Sequence, residues 1–423
     1  MAKRATFLCN IVWAIILFWV GLCSGRTFSG NDTQVTLTPV IIIPGHGGNQ
    51  ILMKVDRREP IVPGCVTSSD GWTLGWLDLW KFLPQNLNCW AEHNKLSYDE
   101  KSGEYHKMEG VKYRIPDWGG VKSIEYLDPS VTAYLLGNIG SYFVPVIRKL
   151  EYWGYEAGKN IRAAPYDFRY SPVSMPNFYD PLRRLVEDTY KKNGNTRVAL
   201  LAHSMGGLLA HYFVQKQSPQ WRKKYIHSLI TLNTPWGGVV DMLEAMVSGY
   251  TWALDLHPNT FRIMQRTCEA GVFLLPTEYS WDPDATILSS GGENYTVKDY
   301  DKLFQDIGYP AGSAMRRKVR RERLKLDNPG VNTWCFYASG IDTPETLVYP
   351  SGKFPDGPPQ RIMGIGDGTA NLRSANLCTK WRDTTEGVIK TKQLIGVTHA
   401  GILSNDEIHE DLKEILISTT KSK

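Results

Sequence analysis

The chain has 423 residues, of which 42% are hydrophobic and 22% charged, enough to bury a large core in one enlarged domain or in two. Its formal net charge of +5 is too small an excess to indicate a nucleic-acid-binding protein. No internal repeat or low-complexity segment stands out. We therefore expect a globular protein that does not bind nucleic acid.

Residues 1–25 have the layout of a secretory signal peptide. Two basic residues precede an apolar run from Phe7 to Leu22, and the small residues Cys23-Ser-Gly25 follow. An uncleaved signal anchor is the alternative, because roughly 16 apolar residues fall just short of a comfortable membrane span. We favour cleavage, which leaves a mature chain of residues 26–423.

The remaining cysteines predict a disulfide framework, because secretory compartments are oxidising. They are Cys65, Cys89, Cys268, Cys335 and Cys378. Two bridges and one free thiol are expected. By separation, Cys65–Cys89 and Cys335–Cys378 are the simplest pairings, with Cys268 left over. Glycosylation sequons at Asn31 and Asn294 fit the same compartment.

The first β-prone run, Val35 to Ile43, leads into a glycine-rich stretch, Pro44 to Gln50. A phosphate-binding loop is disfavoured, because the stretch has neither the P-loop lysine nor G-x-G-x-x-G spacing. In α/β-hydrolases the loop after an early strand supplies one donor of the oxyanion hole. The backbone N–H of His46 is therefore a candidate donor.

The segment of about 65–90, closed by the first cysteine pair, carries several large aromatic residues in a short loop. They are Trp72, Trp76, Trp80 and Phe82. A small aromatic core under the loop would explain them. Alternatively, they form a membrane-binding surface, because tryptophan favours the headgroup region of a bilayer and a disulfide would hold the loop together.

Helical and strand patterns then alternate along the chain. Helices are predicted from Phe143 to near Gly154 and over Leu182–Tyr190, and buried strands over Val198–Ala202 and Ile226–Leu232. This alternation predicts a mostly parallel central sheet covered by helices.

Ala202-His-Ser-Met-Gly206 lies between the strand at Val198 and an apolar helical pattern. It matches the G-x-S-x-G nucleophile elbow, with alanine in the first small position. An elbow of this kind lifts the hydroxyl of Ser204 above the sheet and points the helix N-terminus at the charge that forms there. The backbone N–H groups of Met205 and His46 would form the oxyanion hole. We predict an α/β-hydrolase fold.

Residues from about 240 to 330 break the alternation and mix aromatic residues with proline and glycine, as expected of an inserted cap or lid. Within them, Arg316–Lys325 holds seven basic residues in ten. This run would attract anionic lipid or form a solvated helix face.

An acid and a histidine follow the serine in the chain order that α/β-hydrolases use. Asp367 lies among glycines, and His399 ends a β run. In a triad, His399 would take the proton of Ser204, and Asp367 would fix its tautomer. Among the other histidines after the acid only His409 competes, and its surroundings are typical of a helix surface.

Further short motifs accompany the elbow: Pro44-Gly with Gly48-Asn-Gln, Trp-Leu-Asp-Leu in the 65–89 loop, Ala164-Pro-Tyr-Asp-Phe-Arg169, Pro235-Trp-Gly-Gly238, Asn294-Tyr-Thr296 and Gly366-Asp-Gly-Thr369. Jointly they resemble the lecithin:cholesterol acyltransferase family from about residue 38 to the C-terminus. Ala-His-Ser-Met-Gly and the lack of a proline-rich tail are most similar to its lysosomal phospholipase A2 branch.

The resemblance implies the triad Ser204, Asp367 and His399, both disulfides, the membrane-binding loop at 65–89 and a mobile lid around 246–275. It also implies a phospholipid acyl donor, with water or a lipophilic alcohol as acceptor, at a membrane or lipoprotein-like surface. The compartment would be lysosomal or extracellular. One departure is His46, where the lysosomal enzymes carry an acid, so an acidic pH optimum is not safely inherited.

The sequence thus predicts a serine phospholipase A and O-acyltransferase that works through an acyl-Ser204 intermediate. No cofactor or metal is expected; in particular, no His-Glu-x-x-His zinc motif occurs. A neutral-lipid esterase or lipase is the alternative enzyme. A non-catalytic lipid carrier on a hydrolase scaffold is the alternative from another class.

Overall fold

The computed structural model describes residues 33–99, 101–135, 140–251, 257–322, 325–381 and 387–421. The predicted signal peptide and the sequon at Asn31 lie outside these ranges. The chain divides into a large unit, 37–417, and a small unit whose described residues are 33–36 and 418–421.

The strands, numbered in chain order, are β1 (Thr33–Leu37), β2 (Val40–Ile43), β3 (Ile51–Val55), β4 (Thr73–Trp76), β5 (Leu96–Asp99), β6 (Glu104–Lys107), β7 (Val111–Arg114), β8 (Ile161–Ala163), β9 (Val198–His203), β10 (Ile226–Leu232), β11 (Leu288–Ser290), β12 (Glu293–Tyr295), β13 (Thr333–Ser339), β14 (Ile341–Tyr349), β15 (Gln360–Gly366), β16 (Ile389–Ile395) and β17 (Ile417–Lys421).

The α-helices cover Pro84–Asn94, Lys122–Glu125, Val131–Leu135, Val144–Tyr152, Tyr179–Lys192, Met205–Gln215, Pro219–Tyr225, Val240–Val247, Pro258–Gln265, Glu269–Phe273, Tyr300–Asp306, Pro310–Glu322, Leu372–Ala375 and Asp406–Leu416. Short 3₁₀ helices cover Leu79–Phe82, Asn376–Lys380 and Gly401–Ser404.

The central sheet of the large unit has six parallel strands in the order β16-β13-β10-β9-β2-β8. Parallel strands are covered by helices on both faces, so they are apolar along their whole length. In β2, Val40 and Ile42 pack with the helices at 144–152 and 406–416, whereas Ile41 and Ile43 pack on the opposite side. This confirms the predicted mostly parallel sheet, and the carboxyl ends of its strands all meet at one edge.

The predicted β run from Val35 to Ile43 is two strands rather than one. β1 ends at Leu37 and β2 begins at Val40. The break falls at Pro39, which has no N–H to give to a sheet ladder. β1 pairs with β17, whereas β2 joins the central sheet.

A second layer, called the cap below, begins in the segment between β10 and β13, which was predicted as a cap at about 240–330. Its four-stranded sheet has the order β12-β11-β14-β15. Because β14 and β15 come after β13, this layer continues to Gly366, beyond the predicted boundary. The run Arg316–Lys325 starts on its helix Pro310–Glu322.

In the described part of the basic run, residues 316–322 and 325, basic side chains contact other parts of the protein. The Arg316 guanidinium lies over the ring of Tyr300, 4.5 Å from its centroid. Lys318 approaches the buried Glu269 (3.8 Å), and Arg320 binds Glu278 (2.9 Å). These contacts favour the solvated helix face over the lipid-attracting alternative.

The loop predicted to bind membranes contains the antiparallel sheet β4-β3-β7 and is closed by the Cys65–Cys89 disulfide. Phe82 is 4% exposed and packs edge-on against Trp90 and Phe261 of the cap helix Pro258–Gln265. Phe82 therefore belongs to a buried aromatic core and cannot insert into a membrane as predicted. Its ring fixes the loop to the cap.

Trp76 was also predicted to face the membrane, and it too lies elsewhere. Its ring packs against Phe82, Trp90 and Phe168. Its Nε1–H donates to the carbonyl oxygen of Gly47 (2.7 Å). Trp76 is half-buried, and this hydrogen bond supports the glycine-rich loop after β2.

The second disulfide joins Cys335 on β13 to Cys378, and Cys268 is a free, buried thiol. Burial raises the pKa of Cys268 to about 12, so this thiol is not a reactive nucleophile.

Candidate active site

Ser204 occupies the turn between β9 and the helix Met205–Gln215. All six residues of β9 are buried, and the backbone of Ser204 has φ 54° and ψ −130°. A positive φ is rare outside glycine and costs about 1–3 kcal/mol, as at many functional turns. The turn is tight on the far side too. A Cβ on Gly206 would lie 2.3 Å from the carbonyl oxygen of Ile43, so only glycine fits there.

The predicted acid and base meet the serine at the carboxyl edge of the sheet. Ser204 Oγ lies 2.9 Å from His399 Nε2, and His399 Nδ1 lies 2.7 Å from Asp367 Oδ2. His399 follows the end of β16 by four residues rather than ending the strand as predicted. The structure thus brings together side chains that are up to 195 residues apart in the sequence.

Asp367 is 0% exposed and lies directly after β15 of the cap sheet. Its Oδ1 accepts hydrogen bonds from the N–H groups of Thr369 (2.9 Å) and Ala370 (2.7 Å). Oδ2 remains for His399. This arrangement suits a carboxylate that orients an imidazole and stabilises the imidazolium.

Opposing effects act on the pKa of His399. Burial lowers the pKa of His399, but the charge of Asp367 and its hydrogen bond, followed by the charge of Asp241, raise it, and the net direction is upward. A raised pKa makes His399 a stronger base, and it also means that the base is protonated over a wider acidic range.

The two predicted oxyanion donors, His46 and Met205, lie on segments next to Ser204. Met205 is the first residue of its helix, so its N–H has no acceptor within the helix. The loop that carries His46 also lies against the serine, because a Cβ on Gly45 would lie 2.8 Å from the Cβ of Ser204. Both N–H groups stay candidate oxyanion donors.

The imidazole of His46 packs edge-on against Phe168 (5.1 Å between ring centroids), and its Nε2 is inaccessible to solvent. Burial lowers the pKa of His46 to about 4. The ring is therefore neutral from about pH 5 upward.

A cavity of about 440 Å³ opens above the serine. His46, Ser204 and His399 line it together with an apolar wall of Pro235, Val239, Met242 and Leu274. An apolar wall beside a nucleophile suits an acyl chain rather than a polar substrate.

Trp80 and Trp72 are the two predicted membrane-binding residues that reach the surface, 67% and 39% exposed. Arg114 lies over the Trp72 ring, 4.9 Å from its centroid. Asn294 is exposed on β12, and its glycosylation stays a prediction.

His409, the competing histidine, is buried rather than on a helix surface. Its Nε2 donates to the carbonyl oxygen of Leu403 (2.9 Å). It therefore has a structural role. No group of histidine, cysteine or acidic residues in the described ranges could hold a metal ion, and no helix there is long and apolar enough to cross a bilayer.

Two residues that act on His399, Asn233 and Asp241, were not predicted from the sequence. Asn233, at φ 46° just after β10, donates from Nδ2 to the carbonyl oxygen of His399 (3.0 Å) and accepts the N–H of Ala338 (2.7 Å). Its position at a strand end was a visible signal. Asp241 gave no signal, because an acid on an apolar helix usually faces solvent.

The family profile described as lecithin:cholesterol acyltransferase matches residues 73–325 and 313–406. The chain belongs to the lecithin:cholesterol acyltransferase family. As a member of this family with this fold, it is an enzyme that acts on lipids.

Individual family members are similar over most of their length. Lysosomal phospholipase A and acyltransferase of Homo sapiens is 35% identical over 380 residues, 90% of each chain. Phosphatidylcholine-sterol acyltransferase of Gallus gallus is 32% identical, covering 86% of this chain and 87% of its own. Lecithin-cholesterol acyltransferase-like 1 of Arabidopsis thaliana is 36% identical, covering 89% and 88%.

Proposed function

We propose that the protein is a phospholipase A and O-acyltransferase in which Ser204 carries the acyl group. The contact of Ser204 Oγ with His399 Nε2 at 2.9 Å is the observation that carries this proposal. The serine needs a base at this distance to become nucleophilic. The acyltransferase names of family members with 35% identity support the same reaction.

In the first half-reaction, Ser204 Oγ attacks the ester carbonyl of a phospholipid and gives its proton to His399 Nε2. Asp367 stabilises the imidazolium, and the N–H groups of His46 and Met205 donate to the oxyanion. Each such donor contributes about 3 kcal/mol to lowering the barrier. When the ester C–O bond breaks, His399 returns the proton to the leaving lysophospholipid oxygen.

In the second half-reaction, a hydroxyl group attacks the acyl-Ser204 carbonyl and gives its proton to His399. Water yields a fatty acid, whereas a ceramide- or sterol-like alcohol yields its ester. Ser204 recovers its proton when the acyl bond breaks. The apolar wall at Val239, Met242 and Leu274 would favour a lipophilic acceptor over water by excluding water.

The enzyme would take its substrate from a membrane or a lipoprotein-like particle. Trp80, exposed on the disulfide-closed loop, is the anchor we propose. Opening of a lid over 246–275, of which residues 252–256 lie outside the described ranges, stays part of the proposal. Two disulfides and the relatives' lysosomal names support a lysosomal or extracellular site within the secretory pathway.

The test uses phosphatidylcholine liposomes with and without a short-chain ceramide. We expect fatty acid from the first and additional acylceramide from the second, both lost in Ser204→Ala. Cleavage of neutral esters without any phospholipid cleavage would point to the esterase alternative. Liposome binding without any turnover would point to the lipid carrier.

A further inference from the structure

Two residues outside the triad, Tyr142 and His203, connect the two halves of the active site. Tyr142 precedes the helix Val144–Tyr152, and His203 is the last residue of β9. Neither side chain carries a chemical step in the proposed mechanism, although both line the cavity. His203 is 2% exposed.

On one side, the Tyr142 hydroxyl holds the oxyanion loop, the glycine-rich stretch 44–50 that carries His46. It accepts the N–H of Gly45 at 3.0 Å, one residue before His46. The loop curls around this hydroxyl and ring: the N–H of Gly48 donates to the carbonyl oxygen of Gly45 (3.0 Å). A Cβ on Gly48 would lie 2.6 Å from the Tyr142 ring, so glycine is needed for the contact.

On the other side, His203 holds the main chain of His399. His203 Nε2 lies 2.9 Å from the carbonyl oxygen of His399, next to the hydrogen bond from Asn233. The rings of His203 and His399 are 4.9 Å apart. The link between the two sides is a 2.5 Å contact from the Tyr142 hydroxyl to His203 Nδ1.

The groups at the two ends of this hydrogen-bond network, the Gly45 N–H and the His399 carbonyl oxygen, determine where its protons lie. The Gly45 N–H donates to the hydroxyl oxygen, so the hydroxyl proton is available for His203 Nδ1. A carbonyl oxygen only accepts, so His203 must carry its own proton on Nε2. The Tyr142 hydroxyl and both ring nitrogens of His203 then have hydrogen-bond partners, and a fully paired network of this kind is rigid.

Tyr142 and His203 also stay uncharged while His399 becomes charged. Burial, followed by the charge of His399, lowers the pKa of His203 to about 3. Burial raises the pKa of Tyr142. A neutral His203 avoids a second cation beside the imidazolium that forms during acyl transfer.

We propose that Tyr142 and His203 are positioning residues that hold the oxyanion loop and the general-base loop at a fixed separation. This inference rests on the proposed function, because it assigns these residues to the same acyl-transfer reaction. The donors near His46 and the base at His399 act on opposite sides of one carbonyl group. A displacement of about 1 Å between them costs on the order of 100-fold in rate.

The test measures hydrolysis of a soluble short-chain p-nitrophenyl ester, with active sites counted by a phosphonate that labels Ser204. Tyr142→Phe removes only the hydroxyl, and we expect kcat per labelled site to fall about 10- to 100-fold with KM within about twofold. The matched control is Tyr155→Phe, which removes a buried hydroxyl bonded to the carbonyl oxygens of Thr38 and Leu416. That control is expected to lower Tm without changing kcat per site.

The variant His203→Gln gives a second measurement, because its amide can still donate to His399 but no longer reaches Tyr142. Combined with Tyr142→Phe, it forms a double-mutant cycle. If the two residues act through their shared bond, the double variant is no slower than the slower single variant. Additive losses, or a kcat per site in Tyr142→Phe within twofold of the wild type, would overturn the proposal.

The soluble-ester assay tests the positioning role of Tyr142 and His203 separately from the proposed phospholipase and acyltransferase function. The soluble ester needs only the serine, base and oxyanion donors, whereas phospholipid cleavage and acyl transfer need the lipid specificity as well. Ester hydrolysis without phospholipid turnover contradicts the proposed function and leaves the positioning measurable. An unaffected Tyr142→Phe variant contradicts only the positioning.

Discussion

Asp367 binds His399 twice. The carbonyl oxygen of Asp367 accepts the N–H of His399 at 2.7 Å, and its carboxylate accepts from Nδ1 at 2.7 Å. The first bond fixes the loop, and the second fixes the ring and its tautomer. Because only the second involves the side chain, the two contributions are separable by mutation.

Asp367→Asn is therefore expected to lower kcat about 10⁴-fold, because an amide stabilises the wrong tautomer of the imidazole. The main-chain bond remains, so Tm should change little. The measurement is kcat per labelled Ser204 on a soluble ester, together with a thermal melt. Asp180→Asn, at an exposed position of the helix Tyr179–Lys192, is the control. A large drop in Tm with unchanged kcat per site would contradict this role.

The pH profile should respond to Asp241, a carboxyl 1% exposed on the helix Val240–Val247. Burial, followed by the charge of Glu244, raises the pKa of Asp241 to about 7, and Arg361 and Tyr250 oppose this. When ionised, Asp241 raises the pKa of His399.

His399 must be neutral to act as a base, so activity is lost as pH falls through its pKa. Asp241→Asn removes a negative charge, lowers that pKa and moves the acid limb of kcat/KM to lower pH. The shift is less than about one pH unit, because Asp241 is itself protonated below pH 7. A shift to higher pH would contradict this electrostatic account.

His46→Gln is expected to leave the midpoint of the acid limb unmoved between pH 5 and 8. Burial keeps the pKa of His46 at about 4, so the ring carries no proton to lose in this range. The rate itself falls if the loop shifts, so the comparison is of midpoints and not of maximal rates. A moved midpoint would show that His46 titrates near neutrality.

Trp80 and Phe82 make a matched pair on one short loop, the first exposed and the second buried. Trp80→Ala should weaken binding to phosphatidylcholine liposomes, by about 1–2 kcal/mol for one interfacial indole, with Tm and soluble-ester kcat unchanged. Phe82→Ala should instead lower stability by about 3–5 kcal/mol. Sedimentation with liposomes and thermal melts distinguish the two. Equal liposome binding by Trp80→Ala and the wild type would contradict the anchor.

Local sequence was enough for the elbow. The apolar run of β9, the small residues around Ser204 and the helical pattern after it all act on neighbouring residues, so the turn was readable. The order of Ser204, Asp367 and His399 could also be predicted, because α/β-hydrolases place their triad residues in this order along the chain. Ser204 and His399 follow strands of the parallel sheet, whereas Asp367 follows β15 of the cap sheet, a position that the sequence did not show.

Packing between residues far apart in the sequence could not be predicted. Trp76 and Phe82 are covered by a cluster that includes Phe261 and Met264 of the cap helix, and a short loop has no periodicity that shows this packing. The bond from Tyr142 to His203 joins residues 61 positions apart. The cap sheet takes β14 and β15 from beyond the predicted boundary, because strands pair by tertiary contact.

The central claim is that Ser204 carries the acyl group between donor and acceptor. The most direct measurement is mass spectrometry of protein quenched during turnover of phosphatidylcholine liposomes with a short-chain ceramide. We predict a peptide containing Ser204 that bears the fatty acyl group of the donor, which disappears as acylceramide forms. In Ser204→Ala both the adduct and the product should be absent. Acylceramide formation by Ser204→Ala, or an acyl adduct on another residue, would contradict the account.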